Sequence, residues 1–210
     1  MIDPIASLRA ALAEHRLLVF LAGPNGAGKT TFFERYLEPL GLPFVNADRI
    51  ARVLREEAPD ADHVEAERRA VIQAETIRRG FIEAGFSFCT ETVFSDPVGA
   101  KVRFLDQARA AGYVVFLVFI GLEGSHLSVA RVAERVSHGG HDVPDEKMHA
   151  RFPRTLANLR AAIPGADEVF LIDNSSLATP YRVIAVYRRG TLVSRHPPLP
   201  SWTKGLPGLS

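Results

Sequence analysis

The residues with the most legible chemistry are Gly23-Pro24-Asn25-Gly26-Ala27-Gly28-Lys29-Thr30-Thr31. Their spacing is G-x-x-x-x-G-K-[ST], a P-loop. Its glycines let the backbone wrap so that N–H groups meet phosphate oxygens. Lys29 supplies a compact positive charge for the β- and γ-phosphates, and the hydroxyl of Thr30 is a Mg²⁺ ligand. Gly23 through Thr31 are therefore the expected nucleotide-binding residues, with Lys29 also catalytic and Thr30 the metal ligand. The context agrees. Leu17 to Ala22 is an apolar strand, and a helix expected from Lys29 to Glu38 aims its positive end at the same phosphates. The motif predicts binding of a nucleoside triphosphate with Mg²⁺.

Two carboxylates stand where phosphoryl transfer needs them. Asp48 follows a short expected strand and reads either as a general base for an attacking hydroxyl or as an N-cap. Glu91, at the tip of the next strand in Thr90-Glu91-Thr92, reads as a carboxylate that orients Mg²⁺ or its water, or holds a substrate hydroxyl. Its alternative is a charged residue where the chain meets solvent. Arg131 and Arg135 share one helix face, and Arg151 and Arg154 share another, with the glycine-containing connector Ser137 to Pro144 between them. A mobile arginine segment can close over a migrating phosphoryl group; surface ion pairing is the plainer reading. His138, His141 and His149 have loose metal-pair spacing, but glycines between the first two give no fixed geometry, so no transition metal is expected. Asp173-Asn174 suits either a place beside the nucleotide base or an Asx turn.

The elements that must position these groups alternate strand and helix. The fold class is α/β: a P-loop NTPase/kinase fold, with a mostly parallel doubly wound sheet, a helical lid region at about 124–162 and a C-terminal hairpin, Tyr181 to Arg195. Residues 1–195 read as one kinase domain and 196–210 as a Pro/Gly-rich tail, with Trp202 a candidate anchor. A helix beginning at Asp62 and ending at Gly85 is expected to be amphipathic through Val64, Val71, Ile72, Ile77 and Phe81, and Pro97 is expected to open the following helix. Ligands of such sheets sit at the carboxyl ends of the strands. The P-loop, Asp48, Glu91 and Asp173-Asn174 should therefore converge.

The chain has 210 residues, 47% of them hydrophobic, which is enough for one full core. A formal net charge of +1 gives no basic footprint, so nucleic acid is not expected as the main partner. The apolar run Leu17 to Ala22 is too short to span a membrane, and the single cysteine, Cys89, fits a reducing compartment. The expectation is a cytoplasmic protein with no membrane contact.

Taken together, Gly23 to Thr31, Val45-Asn-Ala-Asp-Arg-Ile-Ala51, Thr90-Glu-Thr92, and Arg131 through Gly139-Gly-His-Asp-Val-Pro144 resemble the zeta-toxin family of P-loop kinases in its short bacterial form. The resemblance spans roughly Leu17 to Ser175. It implies ATP-dependent phosphorylation of a hydroxyl on a small molecule, a nucleotide sugar, UDP-N-acetylglucosamine, in the best-described members. It implies Asp48 as base, Glu91 as a substrate or metal-site carboxylate and Arg131 as the arginine on the transferring group. It also implies an antitoxin protein as partner, for which the residues give no sign. One departure stands out: where the better-known toxins carry a second lid arginine, this chain has His141, so Arg135, Arg151, Arg154 or His141 itself must supply that charge. The rival readings are a kinase for another small hydroxyl compound or a nucleic-acid end, and a nucleotide-dependent switch that binds a protein and barely turns over.

Overall fold

A computed structural model describes residues 2–58, 62–137 and 143–209. Seven strands form one sheet: β1 (Leu17–Ala22), β2 (Phe44–Val45), β3 (Phe88–Thr92), β4 (Val114–Gly121), β5 (Glu168–Asp173), β6 (Arg182–Arg188) and β7 (Thr191–Arg195), in the order β2-β3-β1-β4-β5-β6-β7. The first five are parallel and the last two form an antiparallel hairpin at one edge. Every residue of β1 is buried, as expected of a central strand covered on both faces. One layer of core gathers Phe20, Phe88, Phe119 and Leu171; the other gathers Leu21, Phe116, Val118 and Ile172.

Register decides what meets at the carboxyl edge. Leu21 pairs with Glu91 and Ala22 with Thr92, so the end of β3 lies beside the entry to the P-loop. Gly121 pairs with Asp173 on the other side. Seven α-helices connect the strands: α1 (Pro4–Leu12), α2 (Lys29–Phe32), α3 (Ala47–Glu57), α4 (His63–Ala84), α5 (Ala100–Ala110), α6 (Ser125–Ser137) and α7 (Asp145–Ala162).

Three details differ from the sequence reading, and the tail adds to it. The helix after the P-loop is α-helical only through Phe32, then passes through a π turn, Phe33–Leu37, and a 3₁₀ turn, Glu38–Leu40. Helix α4 keeps its Asp62 cap and its stop at Gly85, but it packs through Ala66, Ala70 and Ala74. Val64, Val71 and Ile72 are 71%, 56% and 55% exposed, while Phe81 packs against the core with Ala74. Pro97 does not open α5; Gly99 occupies the N-cap, and Asp96 Oδ1 accepts from Ala100 N at 2.6 Å. The tail has little regular structure beyond a 3₁₀ turn, Ser201–Thr203, yet its side chains are core. Trp202, Leu206 and Leu209 are buried, and the indole lies so close over Gly121 that a Cβ there would come within 2.3 Å of it. Trp202 Nε1 donates to Asp173 Oδ1 at 3.2 Å.

Candidate functional site

The P-loop leaves β1 through Gly23, whose φ is 148° and whose Cβ, if present, would lie 2.1 Å from the Ile120 carbonyl oxygen. Only glycine passes there. Gly28 has φ 85°, and a Cβ would meet Asn174 Nδ2 and Tyr181 Oη at 2.8 Å. Those two side chains brace the loop from beneath. Asn174 Nδ2 donates to Ala27 O at 2.9 Å, Tyr181 Oη donates to Gly28 O at 2.9 Å, and Ser128 Oγ donates to Asn25 O at 2.5 Å. In a trans peptide the carbonyl and the next N–H point in opposite directions. Drawing the carbonyl groups of Asn25, Ala27 and Gly28 outward therefore turns the amides that follow them to the concave side, the arrangement of an anion nest. The sequence noted Asn174 for the nucleotide base or a turn. Its place under the loop, with Ser128 and Tyr181, carries no local signal.

Glu91 is the hub of the site. Its Oε2 accepts from Thr30 Oγ1 and from Asn46 Nδ2, each at 2.8 Å, and its Oε1 lies 3.8 Å from Lys29 Nζ. Lys29 Nζ also donates to Pro24 O at 3.0 Å. The two charged side chains are only 6% and 9% exposed. Burial pushes the Lys29 ammonium below its ordinary range; Glu91 and Asp48 oppose that shift, and Arg135 adds to it.

Asn46 does two things at once. Its Nδ2 holds Glu91, while its Oδ1 caps α3 by accepting from Asp48 N at 2.7 Å and Arg49 N at 3.0 Å. The N-cap reading of Asp48 is thereby corrected: the cap is Asn46, two residues earlier, because that residue holds the extended backbone a cap requires. Asp48 occupies the first turn of α3, exposed, within electrostatic reach of Lys29 on one side and Arg151 on the other. Beside it, a cavity of about 350 Å³ opens between β2, α3 and α4, lined by Phe44, Asn46, Arg49, Ile50 and Val53 among others.

The arginines separate. Arg131 on α6 lies over the P-loop, its Cβ 3.1 Å from where a Cβ on Gly26 would stand, and its Nη2 reaches Ser175 O at 3.5 Å. Arg135, one turn on, acts on Lys29. Arg151 on α7 is half-buried and faces Asp48. Arg154 Nε donates to Ser95 O at 3.1 Å and so ties α7 to the loop after β3. His138 and His141 lie outside the described residues. His149 bonds Ser125 Oγ at 2.9 Å and packs on His126. Among the described residues no three His, Cys, Asp or Glu side chains could hold a metal ion together.

One residue that the sequence did not flag belongs beside this set. Lys101 of α5 donates through Nζ to Thr92 Oγ1, at the end of β3. Burial lowers its ammonium to about 8; Arg78, Arg151 and Lys29 push the same way, and Asp96 opposes them. A lysine in the first turn of a helix reads as solvated, and only packing against β3 and α7 removes it from water.

Residues 18–157, two-thirds of the chain, match the AAA domain family AAA_33. The chain belongs to that family. Its fold, a P-loop after the first strand of a mostly parallel sheet, is shared with kinase structures. It is similar to an uncharacterized protein of Haemophilus influenzae, 24% identical over 134 residues, which cover 64% of this chain and 91% of that one. Among solved structures it shares its fold with PezAT, a chromosomal toxin-antitoxin system of Streptococcus pneumoniae (17% identity, TM-score 0.58, 80% of this chain and 74% of that one). It does so also with AvrRxo1-ORF1:-ORF2 with ATP (16% identity, TM-score 0.63, 91% and 64%). A provisionally assigned kinase of Chloroflexus aurantiacus has the same fold (16% identity, TM-score 0.52, 64% and 75%).

Proposed function

We propose that this AAA domain is an ATP-dependent kinase that phosphorylates a hydroxyl group of a small molecule. The observation that carries the reading is the single carboxylate of Glu91 joining Lys29, Thr30 and Asn46, with Asp48 exposed in the next turn. The residues fit the nucleotide: a cradle where side chains at Gly23 and Gly28 have no room, a buried ammonium, and a hydroxyl beside a carboxylate.

Lys29 and the loop amides bind the β- and γ-phosphates. Thr30 and Glu91 would hold Mg²⁺, which would supply neutralisation of charge on the phosphates. Asp48 takes the proton of the acceptor hydroxyl. That oxygen forms the new bond to the γ-phosphorus as the bond from phosphorus to the bridging oxygen of ADP breaks. Arg131 and Arg135 offset the charge that spreads over the transferring group. In the sequence His141 stands where the resemblance expects a second lid arginine, and Arg131 and Arg135 carry that charge in this reading.

The zeta-toxin resemblance points to UDP-N-acetylglucosamine as acceptor, and that sugar nucleotide is the first to test. An inhibitory protein partner belongs to the same proposal, since PezAT is a two-component system. So does a cytoplasmic location; among the described residues no helix is long and apolar enough to cross a membrane. The test is incubation with γ-labelled ATP, Mg²⁺ and UDP-N-acetylglucosamine, followed by mass spectrometry, with a metabolite extract in parallel. One added phosphoryl group on the sugar nucleotide is expected. Transfer to a different metabolite keeps the kinase and rejects this acceptor. Tight nucleotide binding without transfer to anything favours a switch.

A further inference from the structure

Near the end of β3 three cations act on one another electrostatically, and among the described residues none has a carboxylate in an ion pair. Lys101 comes from α5, Arg78 from α4 and Arg151 from α7, and both arginines act electrostatically on Lys101. Among the described residues, the only hydrogen bond of the Lys101 ammonium goes to Thr92 Oγ1, and no carboxylate forms an ion pair with any of the three. Asp96, Glu75, Asp48 and Glu67 act on them only from farther away. A half-buried ammonium without a counter-ion is costly, and a chain keeps one where something else supplies the negative charge.

The hydrogen-bond inventory points the same way. Thr92 Oγ1 accepts from Lys101 Nζ and from Phe94 N, the latter at 3.1 Å, which uses both of its lone pairs. Its own O–H is left to donate, in a residue only 8% exposed, and no described residue accepts it. The ammonium has two more protons to give. These free donors lie at the carboxyl end of β3.

The surrounding loop is held stiffly. Thr155 Oγ1 donates to Val93 O at 2.9 Å, and Asn158 Nδ2 donates to Phe94 O and Asp96 O, each at 2.9 Å, while Phe94 is kept at φ 63°. A backbone strained in that way persists only where its surroundings over-determine it, as they do at binding sites.

We propose that Lys101, Thr92, Arg78 and Arg151 form an oxyanion pocket that binds a phosphate or carboxylate group of the acceptor, so that the kinase takes anionic hydroxyl compounds. The pocket rests on the kinase reading. Asp48 lies within reach of both Lys29 and Arg151, so an acceptor anchored here presents its hydroxyl between the anchor and the γ-phosphate. The anchor also explains how a site open to water would distinguish its acceptor from water itself: binding energy from a remote group of the substrate goes into orienting the reacting one.

The test fills the P-loop first. Wild-type protein is saturated with Mg²⁺ and a non-hydrolysable ATP analogue, then titrated by calorimetry with inorganic phosphate and, separately, with acetate. One further anion is expected to bind. Tighter binding of phosphate identifies a phosphorylated acceptor, and tighter binding of acetate a carboxylate. Lys101→Met is expected to weaken that anion by about tenfold or more, the worth of a charge-assisted hydrogen bond, with the affinity for the analogue unchanged. Lys101→Arg should restore much of the loss. Arg151→Gln, at a half-buried position, gives a second reading should Lys101→Met fold poorly, and is expected to weaken the anion by a similar factor. No anion binding to the filled wild type overturns the pocket, as does binding that neither variant changes. An analogue that does not bind at all overturns the kinase reading, and the pocket's role falls with it.

Discussion

The hydroxyl of Thr30, in the P-loop, donates to the carboxylate of Glu91, 61 residues later, at 2.8 Å. The contact is made by register: Leu21, two residues before Gly23, pairs with Glu91 across β1 and β3. It joins the phosphate cradle to the acceptor side through one side chain, which also holds Asn46 and neutralises Lys29. Removing Glu91 leaves a buried ammonium alone. Glu91→Ala should therefore lower stability by about 3–5 kcal/mol in urea unfolding without ligand, as for other buried pairs broken on one side. Thr30→Val and Glu91→Gln in a double-mutant cycle should show a coupling of about 0.5–3 kcal/mol. A coupling near zero would mean that the two groups are neighbours without interacting.

Asp48 and Asn46 divide two jobs that their positions could have confused. Asp48→Asn should lower turnover by roughly 10²–10⁴-fold, the usual contribution of a general base, with nucleotide affinity and melting temperature unchanged. Asn46→Ala should do the reverse in part, costing about 1 kcal/mol of stability through the lost cap. Steady-state kinetics beside thermal melts separate the two. Normal turnover in Asp48→Asn would remove it from the mechanism.

Arg131 lies over the loop at Gly26, and Arg135 acts on Lys29 from the next turn. A contact made to the transferring group shows in kcat and kcat/KM together. Arg131→Ala should lower both, by about 10³-fold if it acts as a finger arginine does. Arg151→Ala should instead raise KM for the acceptor more than it lowers kcat. Kinetics at saturating ATP with varied acceptor distinguish these roles, and identical effects of the two substitutions would contradict the assignment.

Lys101 gives the molecule a measurable pH dependence. In the folded protein its ammonium is lowered to about 8, from the 10.5 of a free lysine. Between those values the unfolded chain holds more protons than the folded one, so this residue makes stability rise as pH goes up through that window. Below about pH 8 the charged form is buried and unfavourable. The groups that face it are Arg78 on α4, Asp96 in the loop after β3, Arg151 on α7 and Lys29 on α2. Denaturant midpoints from pH 7 to pH 10 should climb in the wild type relative to Lys101→Met. Lys101→Met should be the more stable protein at pH 7. Parallel curves would show that the lysine stays solvated.

What the sequence determined by itself was local. The spacing of glycines before Lys29 and Thr30 encodes a loop whose backbone serves phosphate, because glycine freedom and the following helix act within a few residues. The unbroken apolar runs of β1 and β4 called for central parallel strands, and Asp62 and Gly85 marked the ends of α4 through cap geometry alone. Alternation of such elements was enough for the sheet. Tertiary structure decided what depends on residues far apart in the chain. Helix α4 turned its alanines inward and left Val64, Val71 and Ile72 in solvent, since the elements it packs against, and not its own hydrophobicity, select the packed face. Trp202 joined the core because Gly121 leaves a place for an indole, a match that neither segment reveals. Asn46 took the cap that the sequence also allowed Asp48, and so left a carboxylate free for chemistry. Lys101 became a site residue only when β3, α4 and α7 closed around it, because the removal of water, which changes what an ammonium can do, is a property of packing and not of any stretch of chain.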